Sequence, residues 1–91
     1  MLKRSLSCQS AGFVDEINLT VETPKEINPD EFICCFGING GGFSINKSVI
    51  GIDSMQSVLL AIKIIKNVIL NSDAYRSGNI YWLEKDNGID L

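Results

Sequence analysis

From Ser54 to about Ser72 the apolar residues Met55, Val58, Leu59, Ile62, Ile65 and Ile69 recur at three- and four-residue intervals, with Lys63 and Asn67 opposite them. That spacing is the period of one helical face. Directly before it, Gly51-Ile52-Asp53-Ser54-Met55-Gln56 has the form of a capping box, with Asp53 as N-cap and Gln56 three residues on. The sequence before this helix carries a different period. Residues 15–22, DEINLTVE, alternate strictly, with Ile17, Leu19 and Val21 on one side and Glu16, Asn18, Thr20 and Glu22 on the other. This is the pattern of a half-buried strand. Residues 32–38, FICCFGI, form a continuous apolar run suited to a central strand, and alternation resumes through Phe43, Ile45 and Val49. Residues 2–8 show a weaker version in Leu2, Leu6 and Cys8.

The segment TPKEINPDE, residues 23–31, holds two prolines and is read as a loop. NIYWLE, residues 79–84, is read as a fifth strand or an extended packing segment. The expected fold is therefore α+β: an antiparallel meander of four to five strands with one long helix packed on one face, in the order β-β-β-β-α-β. A chain of 91 residues with 45% hydrophobic residues makes one domain, 1–91, with little room for a deep ligand pocket. Leu60, Ile64 and Val68 add a second apolar stripe beside the first, an arc wider than one sheet face covers. The C-terminal segment is expected to cover it, and a homodimer through Leu60, Ile64 and Val68 is the other reading.

One stretch invites a catalytic interpretation. GINGGGFS, residues 37–44, has Gly37, Gly42 and Ser44 at the spacing of a phosphate-binding P-loop. Phe43 stands where the loop needs lysine, and a strand follows where it needs a helix, so a hairpin turn is expected instead. Cys34 and Cys35 are neighbours on a strand and point to opposite faces, and the chain has no histidine to serve as base or metal ligand. Cys8, Cys34 and Cys35 are an odd set without a secretory signal, and buried, reduced thiols are expected. No cofactor, metal or catalytic residue is expected; the alternative is a small enzyme or ligand-binding domain using Cys34 or Cys35.

Charge is distributed unevenly. Asp15, Glu16, Glu22, Glu26, Asp30 and Glu31 face only Lys25 in their stretch, a local charge of −5 in a chain of net charge −3. The tail adds Glu84, Asp86 and Asp90 against Lys85. Such a balance opposes binding to nucleic acid or an anionic membrane, and it suits a basic protein partner docking on those six residues. The N-terminal MLKRSLSCQSAG has no apolar run long enough for a signal peptide, so a cytoplasmic location is expected.

The run Cys34-Cys35-Phe36-Gly37-Ile38-Asn39-Gly40, then Gly51-Ile52-Asp53-Ser54-Met55-Gln56-Ser57-Val58-Leu59-Leu60-Ala61-Ile62 and Tyr81-Trp82-Leu83, resembles a family of small bacterial proteins of unknown function, over about the last two thirds of the chain. A looser likeness in type is to immunity proteins, including those of contact-dependent growth inhibition systems. That likeness implies stoichiometric binding to a toxin and no active site.

Overall fold

A computed structural model describes residues 1–84 and 88–91. Strands β1 (Leu2–Ser10) and β2 (Phe13–Val21) form a hairpin closed by Ala11 and Gly12, and β2 is followed by the short β3 (Lys25–Asn28). β4 (Glu31–Gly40) and β5 (Phe43–Gly51) come next, then helices α1 (Ser54–Leu70) and α2 (Asp73–Arg76), and finally β6 (Ile80–Tyr81). Every strand pair is antiparallel. β1 pairs with β2, β2 and β3 both pair with β4, β5 pairs with β4, and β6 returns to pair with β1. The result is an open six-stranded antiparallel sheet with one long helix, the α+β architecture that the change of period predicts.

The segment read as a loop contains β3. Val21 lies opposite Phe36 and Lys25 opposite Ile33, so β2 and β3 follow one path along β4 with a one-residue slip between them. The slip falls at Thr23-Pro24, where proline supplies no N–H to the ladder, while the Glu22 N–H still donates to the Cys35 carbonyl at 2.9 Å. All four β3 residues are exposed, which is why no alternation announces the strand.

Alternate residues of the long strands face the helix. Leu6 and Cys8, Ile17, Leu19 and Val21, and Cys34, Phe36 and Ile38 are buried there against Ala61, Ile65 and Ile69. The opposite face is open and polar over most of its length, as one face of an antiparallel sheet commonly is, with Ile33 and Ile50 the apolar pair near one end. Ser5 Oγ donates to Asn18 Oδ1 at 3.1 Å, and the Asn39 and Asn46 amides bond each other reciprocally at 3.1 and 3.3 Å.

Helix α1 buries Ser57, Ala61, Ile65 and Ile69, a strict four-residue spacing. Met55 and Leu59, which the periodicity places on the packed face, are 72% and 60% exposed, and Ile62 is half-buried at its margin. The C-terminal segment does not cover Leu60, Ile64 and Val68. Only Ile80 and Tyr81 of NIYWLE are strand, and they pair with Cys8 and Ser7 of β1. The Arg4 side chain then anchors the chain end: its guanidinium lies 3.9 Å from the Trp82 ring centroid, and Nη1 donates to the carbonyls of Ile89 at 3.0 Å and Asp90 at 2.7 Å. Leu91 reaches the opposite flank of α1, beside Ile62 and Ile65.

The start of α1 follows its sequence closely. The Gln56 N–H donates to Asp53 Oδ1 at 2.7 Å, and Gln56 Oε1 accepts from the Ile52 N–H at 2.8 Å, one residue further back than in the usual box. Asp53→Ala removes the acceptor and should lower stability by about 1 kcal/mol. Urea denaturation of the two proteins reads this directly, and an unchanged midpoint would mean that the cap is dispensable.

Candidate functional site

The glycine run resolves as a hairpin. Gly37 to Gly40 belong to β4, and Gly41 and Gly42, at φ 58° and 91°, form the two-residue turn into β5. Positive φ at both turn positions suits glycine, and no helix follows to offer its N-terminus to a phosphate. The Gly41 N–H is moreover taken by Asp15 Oδ2 at 3.1 Å, which puts a negative charge where a phosphate oxygen would have to sit.

This contact also separates Asp15 from the other acidic residues. Asp15 Oδ1 accepts from the Glu16 N–H at 2.8 Å, and Glu16 Oε1 lies 3.4 Å from Ser5 Oγ, whose single proton it shares with Asn18 Oδ1, so both carboxylates have partners within the chain near the turn end of β2. Glu22, Glu26, Asp30 and Glu31 lie toward the other end of the sheet. At about 3.3 Å per strand residue, Glu26 is some 33 Å along the chain path from Glu16, in a molecule 50 Å long. The structure thus divides the six acidic positions into a pair and a group of four. All six are exposed, and among the described residues none of the four has a side-chain hydrogen bond or an ion pair. In the tail, Lys85 and Asp86 lie outside the described residues.

Around the group of four the structure places isoleucines that charge reasoning missed. Ile33 of β4 lies opposite both Lys25 and Ile50, on the open face of the sheet. Ile50 and Ile52 are 52% and 63% exposed, and Ile27 of β3 is exposed as well. The sequence holds one sign of this: Ile50 follows Val49 and so falls on the face that Ser44, Asn46 and Ser48 otherwise make polar. Beside them is a shallow depression of about 320 Å³ lined by Met1, Glu22, Thr23, Lys25, Ile33 and Cys35. Ile33 and Ile50 side by side, with the unpaired carboxylates of Glu22 and Glu31 on the same face, have the layout of a protein-docking surface, apolar at its centre and charged at its rim.

The cysteines separate as their adjacency requires. Cys34 is sealed in the core, its thiol donating to the Glu22 carbonyl at 3.5 Å, and Cys8 is buried beneath the β1–β2 hairpin. Burial pushes both thiols up, with further upward pressure on Cys34 from Cys35 and Glu22 and on Cys8 from Asp15. Both therefore stay protonated at neutral pH and are poor nucleophiles. Cys35 is exposed, against the expectation of three buried thiols, because the open sheet face has no layer over it. No group of His, Cys, Asp or Glu among the described residues is arranged to hold a metal ion. No helix among them is long and apolar enough to cross a membrane.

The chain belongs to a family defined by a domain of unknown function, DUF6968, which it matches over residues 2–91. The match takes in the N-terminal third, which the resemblance seen in the sequence had left out. No curated protein and no solved structure matches the chain.

Proposed function

We propose that this member of the DUF6968 family is a non-catalytic binding protein, which neutralises a basic protein partner by stoichiometric binding as an immunity protein neutralises its toxin. The observation that carries this reading is the exposed acidic end of the sheet, where Glu22 shares a depression with Ile33 and Glu31 lies two residues before Ile33 on the face that also holds Ile50; Glu26, opposite Phe32, falls on the other face of the same end. The carboxylates steer and select a positively charged partner, and the isoleucines supply contact area that loses water on docking. The same charge repels nucleic acid and anionic lipid. A cytoplasmic location belongs to this proposal.

The alternative, a small enzyme or ligand-binding domain working through Cys34 or Cys35, has less support. Cys34 is inaccessible, and among the described residues no polar side chain bonds the sulfur of Cys35. The binding reading is tested by affinity purification from the native host at low salt. It predicts recovery of one basic protein in equimolar amount, lost with the Glu22→Lys, Glu26→Lys, Glu31→Lys triple variant. If both proteins come through without a partner, the proposal fails.

A further inference from the structure

A second surface lies on the far side of β4. β5 pairs with β4 over nine consecutive positions, from Gly40 opposite Phe43 to Phe32 opposite Gly51, with no bulge. In a two-residue hairpin the positions flanking the turn exchange both backbone bonds, and bonded positions then alternate along the ladder. Phe43, Ile45, Lys47 and Val49 therefore bond β4, while Ser44, Asn46 and Ser48 turn their N–H and C=O groups outward. Among the described residues no other strand pairs with β5, and none of those three makes a backbone bond to another element. Of the usual protections of a free edge, this strand lacks proline, a bulge and brevity, and it carries a single charge, Lys47 on the helix side.

The layer above the edge is also unfinished. Phe43, Ile45 and Val49 are half-buried on the helix side of β5. Ile62 and Ile65 face Leu19 and Val21 across a groove on the β2 side of α1, so at about 100° per residue the stripe of Leu60, Ile64 and Val68 falls on the flank toward β5. Those three are half-buried too. An added strand would find backbone partners at the edge and apolar side chains on both layers.

Charge selects what that strand is. Lys47 is exposed on β5, and Asp53, the one acidic residue of residues 43–72, is occupied as the helix cap, so no carboxylate of this stretch answers that lysine. Lys47 is the one charged residue on β5 and stands between Ile45 and Val49 on the helix side. The geometry points to β5 as a docking edge for an extended segment of another protein, with apolar residues opposite Phe43, Ile45 and Val49 and a carboxylate opposite Lys47. Strand addition of this kind takes affinity from the backbone and specificity from alternate side chains. The site, over Phe43 to Val49, adjoins the acidic end at Ile50 and does not depend on the binding function proposed for that end.

The test uses the full chain and the fluorescent peptide Val-Thr-Glu-Thr-Val-Thr-Val, read by anisotropy at low salt beside the same peptide with Lys for Glu. Exchanging an attractive cross-strand pair for a repulsive one should weaken binding about five- to tenfold. Ser48→Pro, which removes an outward N–H, should abolish binding by both peptides. Should that variant fail to fold, Lys47→Glu keeps the strand intact and should reverse the preference between the peptides. Equal binding of the two peptides, or none, would overturn the proposal. So would sedimentation showing a dimer whose Ser44, Asn46 and Ser48 amides resist exchange without peptide, because a second copy would then hold the edge.

Discussion

Ile65→Ala should destabilise the protein by about 2–5 kcal/mol, the cost of losing a large buried side chain together with the cavity it leaves. Ile65 is 1% exposed, and it sits on α1 between Ala61 and Ile69 in the row that meets the core faces of the sheet. The row has no layer behind it into which neighbours could collapse, since the other sheet face is solvent. Ile62, half-buried at the groove, should cost clearly less when truncated. Urea unfolding of both variants decides the matter. A change below about 0.5 kcal/mol at Ile65, the range of surface sites, would place the helix's buried face elsewhere.

Gly51→Ala is the second large effect, and it arises from a gain of one methyl group. β5 ends against the first turn of α1, and a Cβ at Gly51 would lie 2.6 Å from the Ser57 backbone nitrogen and 2.9 Å from its Cα. Backbone cannot rotate out of the way as a side chain can, so the strand and the helix must move apart. That shift pulls on the Asp53 cap two residues later and on the buried Ser57, whose hydroxyl donates to the Ser54 carbonyl at 2.8 Å. A loss of about 2–3 kcal/mol is expected, at the upper end of the range for overpacking. Thermal unfolding measures it, and a melting temperature equal to that of the parent would show that the junction is looser than this geometry requires.

The sequence disclosed those elements whose residues alternate between core and solvent. Ile17, Leu19 and Val21 revealed β2 because one face of that strand is buried, and Asp53 with Gln56 revealed the helix start because capping is local chemistry. β3 stayed hidden because Lys25, Glu26, Ile27 and Asn28 are all exposed, so burial imprinted no period on them. Arg4 concealed the core side of β1: a guanidinium at an inward position reads as surface until the chain end returns to accept its hydrogen bonds. Met55 and Leu59 misled in the opposite sense, since helical spacing identifies an apolar arc without saying how much of it the sheet reaches. In the candidate site the acidic residues were legible as composition. Their division into an engaged pair and a free group was not, because it depends on strand length and on the Gly41 N–H that Asp15 accepts. The isoleucines beside the free group became visible only once register set Ile33 across from Ile50.

The central claim is that the free acidic group recruits a basic protein, and the association rate as a function of salt tests it most directly. Once the partner from the native host is in hand, its association with the parent chain and with the Glu22→Lys, Glu26→Lys, Glu31→Lys variant is followed by stopped flow from low to physiological ionic strength. Exposed charges act through a screened field, with a Debye length of about 30 Å at 0.01 M salt and about 8 Å at 0.15 M. The parent should associate fast at low salt and slow steeply as salt is added, whereas the variant, with its fold intact by circular dichroism, should associate slowly with a much flatter dependence. Equal rates and equal salt slopes for the two proteins would contradict the account and remove this end of the sheet from the binding surface.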